Sequence, residues 1–123
     1  MSAGEVPGFL KTDIDDATLA KMAKAIVRCM NMREGEAVWI RAGLHAWRLV
    51  EHIRYELLMN GTTSLATLSS DWFIERAYTD APKEHLAITP KDAKALAEGV
   101  DGVITIEYPW DPMVMAKIPR EKL

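Results

Sequence analysis

Apolar residues recur at spacings of three and four along Leu19, Met22, Ala23, Ile26, Val27 and Met30. This period matches the helical repeat and predicts an amphipathic helix over residues 16–31. Asp13, Asp15 and Asp16 stand where N-caps and first-turn acids belong. Gly35 marks the turn out of the helix, and residues 36–41 (EAVWIR) are rich in β-formers and predict a short strand. From Leu44 to Asn60 the helical period returns as a wide double stripe: Ala46, Leu49, Val50, Ile53 and Leu57, with Leu44, Trp47 and Leu58 beside them. A stripe of that width predicts a helix packed on more than one side. Asn60-Gly61 suits its end, with the glycine in the left-handed cap position.

Further along, residues 62–68 (TTSLATL) are β-branched and apolar and predict a second strand. Ser70 and Asp71 are placed to cap a helix over 71–79, and residues 80–89, which contain Pro82, form a connector. Thr89-Pro90 has the form of an N-cap followed by proline at the first helical position, with a short helix from Lys91 to Glu98 ended by Gly99. Residues 102–108 (GVITIEY) are the third strand, stopped by Pro109, and Asp111-Pro112 starts a last turn or short helix. Strands alternating with helices in the order αβαβααβ imply an α/β fold: a three-layer domain with a small parallel sheet flanked by helices and right-handed crossovers. At 123 residues the chain has the length of one domain. A leader over 1–12, carrying Gly4, Pro7 and Gly8, is expected to be flexible, with a single α/β domain over 13–123.

Composition narrows the partners. Hydrophobic content of 49% with 27% charged residues excludes a disordered chain. The formal net charge of -3 is made of interspersed signs with no basic block, which argues against nucleic acid. The single cysteine, Cys29, cannot form an intrachain disulfide. The N-terminus lacks a signal-peptide pattern and no apolar run approaches the roughly 20 residues of a membrane span, so the expectation is a cytoplasmic protein with no membrane partner.

The stretch REGEAVWIRAG (33–43) is a turn, strand and loop ahead of a helix, as at the start of many nucleotide-binding sheets. It holds neither G-x-G-x-x-G nor a Walker loop, so a strand–helix turn is the plainer reading. His45 and His52, seven residues apart on one helical pattern, would lie about 10 Å apart along the axis, too far for one metal at about 2.1 Å per bond. His52 and Glu56, at i and i+4, could share a metal, but a solvated surface pair is the expectation. His85 sits in the connector with no evident partner. Cys29, inside the helical pattern beside Met30, is expected to be a buried, inert thiol. In open parallel sheets the ligand edge is the carboxyl end of the strands. That edge would collect Arg41, His45, Ser69, Ser70, Tyr108, Trp110 and Asp111, of which Arg41, His45, Trp110 and Asp111 are the cleft-rim candidates. The alternative for the last two is that Asp111 caps a turn and Trp110 packs at a junction. No residue is assigned as catalytic or as a metal ligand.

The segments LAKMAKAIVRCMNMREGEAVWIRAG, LVEHIRYELLMNG, DGVITIEYPWDP and IPREKL, in this order, resemble the N-terminal domain of the thermophilic-type metallo-aminopeptidases, the aminopeptidase T and leucyl aminopeptidase group. The resemblance covers roughly residues 17–123. It implies a domain that helps enclose a peptide-binding cleft and supports a homodimer, in an enzyme that removes N-terminal amino acids from peptides. It also implies two divalent metal ions, Zn or Co, held by a larger C-terminal catalytic domain; no ligand position maps onto this chain, which would bind no cofactor itself and be inactive alone. The partners implied are that catalytic domain or a second subunit, and a peptide substrate in the full enzyme. Two alternatives stay open: a stand-alone α/β interaction module without catalysis, and the N-terminal half of an enzyme similar to the 2,5-dihydroxypyridine dioxygenases.

Overall fold

The computed structural model describes residues 14–106 and Glu121. The leader over 1–12, Asp13, the expected turn at Asp111-Pro112, and Tyr108, Trp110 and Asp111 lie outside the described residues. Helix α1 (Asp16–Met30) is capped by Asp15, whose carboxylate accepts from the Thr18 N–H at 2.7 Å. It ends at Asn31, which takes the left-handed conformation that asparagine tolerates, with φ of 50°. Strand β1 (Ala37–Gly43) follows, then a 3-10 turn (Leu44–Ala46), helix α2 (Trp47–Met59) and strand β2 (Thr63–Ser69). Helices α3 (Asp71–Asp80), α4 (Lys83–Leu86) and α5 (Lys91–Gly99) lead to strand β3 (Gly102–Ile106).

Three local differences from the sequence expectation have local causes. The helix expected from Leu44 starts at Trp47, because neither Gly43 nor Ala46 offers a capping side chain and the intervening turn is 3-10. The connector over 80–89 contains the short α4. Helix α5 begins at Lys91 with Pro90, not Thr89, at the cap, since Pro90 is still extended with ψ of 110°. The expected caps at Ser70 and Gly61 are present: the Ser70 hydroxyl accepts from the Phe73 N–H at 3.2 Å, and Gly61 has φ of +81°.

All three strands are parallel, in the order β2-β1-β3. The step from β1 to β2 runs one way and the return from β2 to β3 passes back across β1. With right-handed crossovers, α2 covers one face and the α3–α5 connection is directed to the other. The α/β fold with a small parallel sheet and flanking helices is therefore the observed one. Val38, Ile40 and Ala42 on the first face pack with Ala23, Val50, Ile53 and Leu57 into the core. The edge strands add Ala66, Ile104 and Ile106 around it. Asp101 fastens the start of β1: its carboxylate accepts from the Ala37 N–H at 2.9 Å while its own N–H donates to the Ala37 carbonyl at 2.8 Å.

The second face carries Trp39, Arg41, Leu65, Thr67, Val103 and Thr105 in register across the three strands. Trp39 is buried, yet Leu65 and Val103 beside it remain 49% and 46% exposed. The first face is closed by two helices; the second is left partly open among the described residues.

Candidate functional site

The carboxyl ends of the strands bring together Arg41 to Gly43 of β1, the end of β2 and the end of β3. Because the strand order reverses around β1, the crevice between β1 and β3 is the place where a sheet of this kind binds ligands. Of the rim candidates, Arg41 is on β1, exposed, and points to the second face. His45 is half-buried in the 3-10 turn directly after β1, on the same edge. Ser69 ends β2 opposite Gly43, and Ser70 is committed to capping α3. Trp110 and Asp111 lie outside the described residues.

Arg41 has a built setting. Its guanidinium carbon stands 5.1 Å from the centre of the Trp39 ring, a cation–π contact. The Trp39 indole N–H donates to the Thr67 hydroxyl at 3.0 Å, which fixes the ring under the guanidinium. Thr67 and Thr105 are the register partners of Arg41 on either side. Strand periodicity alone places Trp39 and Arg41 on one face, since residues i and i+2 point the same way. The i, i+2 spacing of Trp39 and Arg41 is the sequence signal for this contact.

The histidines do not converge. His45 precedes α2 in the 3-10 turn, so helical spacing does not relate it to His52. His52 is not the surface partner of Glu56: its Nε2 lies 3.2 Å from Asp16 Oδ1 on α1. Arg48 binds the same carboxylate in bidentate fashion, Nε to Oδ1 and Nη2 to Oδ2, each at 2.9 Å. The sequence separations of 32 and 36 residues are why no local pattern showed this clamp between the first turn of α1 and α2. The Arg48 guanidinium, and after it the His52 ring, holds the Asp16 carboxyl well below the usual carboxylate range. The folded pKa is depressed, so the clamp's contribution is present above the unfolded carboxyl value of 3.8 and is lost as pH falls below it. Replacement of Asp16 by asparagine is expected to lower the midpoint of urea unfolding at neutral pH modestly and to flatten its decline below about pH 4. Urea titrations of both proteins at neutral and acidic pH measure this, and parallel pH curves would show that the clamp contributes nothing.

Cys29 corrects a second expectation: the thiol is exposed. It lies six residues beyond the buried Ala23, roughly 120° around the helix from it, off the stripe that packs on α2. A cavity of about 450 Å³ opens at the opposite end of the molecule, where the C-terminal ends of α1 and α2 meet. Lys24, Arg28, Glu56 and Met59 are among its lining residues. It faces the amino ends of the strands, away from the ligand edge, and is the seam left where the two helices end.

Among the described residues no three His, Cys, Asp or Glu side chains come together as a metal site. The donor chemistry agrees: the His52–Asp16 pair is already held by Arg48, whose positive charge opposes a cation there. The described residues do not fit a divalent metal. No helix among them is long and apolar enough to cross a membrane.

Residues 15–123 match the model of the family described as thermophilic metalloprotease (M29). No curated protein matches the chain in sequence. Among solved structures it is similar to wild-type AmpT from Thermus thermophilus, at 23% identity and a TM-score of 0.66. That match covers 86% of this chain and 28% of the AmpT chain. At such identity the likeness shows a shared fold.

Proposed function

The chain belongs to the thermophilic metalloprotease family, and on that premise we propose that it is the N-terminal, non-metal-binding portion of a metal-dependent aminopeptidase, inactive by itself. The observation that carries this is the family match over residues 15–123 in a fold whose described residues offer no metal site. The structural likeness to AmpT, of whose chain this one spans 28%, supports the same reading. In the whole enzyme the two divalent ions, Zn or Co, would be held by a C-terminal catalytic domain or a second subunit. This chain would supply a wall of the cleft: a sheet whose carboxyl edge presents Arg41 and His45, with a partly open face beside it. The finer reading, removal of N-terminal residues from peptides, is the activity expected of that assembly.

Two measurements test this. The isolated chain is expected to release no leucine from leucine amides with Co²⁺ or Zn²⁺ present, and to take up neither ion in a calorimetric titration. Metal-dependent hydrolysis by this chain alone would overturn the inactive-alone reading. The intact mass of the native gene product in its source cells is expected to be several times the 13.8 kDa of this chain. A native mass of 13.8 kDa, with no partner chain co-purifying, would instead favour an interaction module.

A further inference from the structure

The partly open sheet face has a polar row that the family assignment does not explain. Thr67, Arg41 and Thr105 are Cα partners across β2, β1 and β3. With strands about 4.8 Å apart, the three side chains form a line roughly 10 Å long. All three are exposed. Among the described residues Arg41 forms no ion pair, and its guanidinium lies over the Trp39 ring. The Thr67 oxygen accepts the indole N–H, so its own O–H is left to donate outward.

These features together favour an oxyanion. A guanidinium held over an aromatic ring by a cation–π contact has given up some of its freedom before a ligand arrives, which lowers the cost of ordering it on binding. Its free edge offers paired N–H donors that match the two oxygens of a carboxylate. Hydroxyl donors on both sides extend the row. One step back along the strands, Leu65 and Val103 flank Trp39 and are about half exposed. A ligand that fits both rows has a carboxylate beside an apolar side chain. The row lies at the carboxyl edge of the middle strand, next to the crevice where the strand order reverses.

We propose that Arg41, with Thr67 and Thr105 beside it and Leu65 and Val103 behind, binds the carboxylate of a peptide. The site rests on the peptidase reading only for the choice of a peptide as carrier. Binding needs no metal and no turnover, so its outcome separates from that of the hydrolysis assay.

The test is an NMR titration of the full, ¹⁵N-labelled, metal-free chain at constant ionic strength. It follows the Trp39 indole N–H and the Arg41 Nε–H. The probes are Ala-Leu, Ala-Leu amide, Ala-Glu amide and inorganic phosphate. Ala-Leu is expected to shift both signals saturably, with Ala-Leu amide at least about tenfold weaker because the charge-assisted pair is lost. Arg41→Gln is expected to weaken Ala-Leu binding by a similar factor; Arg41→Lys, which keeps the charge but not the fork, should fall between. Unchanged amide spectra elsewhere would show that each variant is folded. If Ala-Glu amide binds as well as Ala-Leu, the carboxylate site stands and its source is an acidic side chain instead of the chain end. Equal binding of Ala-Leu and its amide, equal binding of phosphate, or no shift with any probe would each overturn the proposal.

Discussion

Replacing Ile40 with alanine is expected to destabilise the fold by about 2–5 kcal/mol, a large share of the roughly 5–15 kcal/mol that holds a domain of this size. Ile40 is fully buried on the central strand, and its side chain belongs to the cluster of Val38, Val50, Ile53 and Leu57 that joins the sheet to α2. Neighbours on both sides are fixed by strand pairing, to Ala66 and to Ile104, so the backbone cannot close the hole by moving inward. The cost should therefore include a cavity term as well as the lost transfer energy. Urea unfolding would read it as a fall in midpoint with little change in slope. The next residue supplies the control. Arg41→Ala, exposed on the opposite face, should lose no more than about 1 kcal/mol, the scale of its contact with the Trp39 ring. Equal losses at the two positions would mean that the core does not lie on the α2 face of the sheet.

Gly61→Ala carries the second large effect. Gly61 has φ of +81°, and a Cβ built there would come within 2.6 Å of Glu34 Cγ. The left-handed backbone alone costs an L-residue about 1–2 kcal/mol. Displacing the Glu34 side chain adds to that, and the turn is not free to shift, since the Gly35 N–H donates to the Gly61 carbonyl at 2.8 Å. The total is expected to be about 2–3 kcal/mol. Gly35→Ala separates the two causes. Gly35 also has positive φ, +88°, but a Cβ there meets nothing within 4 Å. It should pay only the backbone share, and Glu34→Ala should relieve Gly61→Ala without relieving Gly35→Ala. If the two glycine variants are equally unstable, the contact with Glu34 constrains nothing.

Both predictions concern the same architectural point, the turn and strand that seat β1 between its neighbours. The functional reading depends on that seating. Arg41 and the half-buried His45 are brought to the ligand edge by the direction of β1. The row Thr67–Arg41–Thr105 exists only while both edge strands keep their register.

Much of this was determined by the sequence alone. The three-and-four spacing of α1 and α2, the β-branched runs, and the caps at Asp15, Ser70 and Gly61 are each set by residues within a turn or two of one another. Local steric and hydrogen-bonding preferences act over that distance and leave a pattern in the chain. The family resemblance was legible for a related reason, since it rests on ordered local motifs over a long span. Tertiary structure decided the rest. The strand order β2-β1-β3 depends on which edges pair, and no residue's neighbours in sequence record it. His52 was drawn to Asp16 instead of Glu56 because α1 packs beside α2 and Arg48 already holds that carboxylate there. Cys29 is exposed because it lies off the face of α1, around Leu19 and Ala23, that packing against α2 buries. The polar row on the second face comes from three strands distant in sequence, placed in register by backbone hydrogen bonds that carry no side-chain signature. Interactions within a few residues are written in the chain; those that depend on packing between elements arise only when the chain folds.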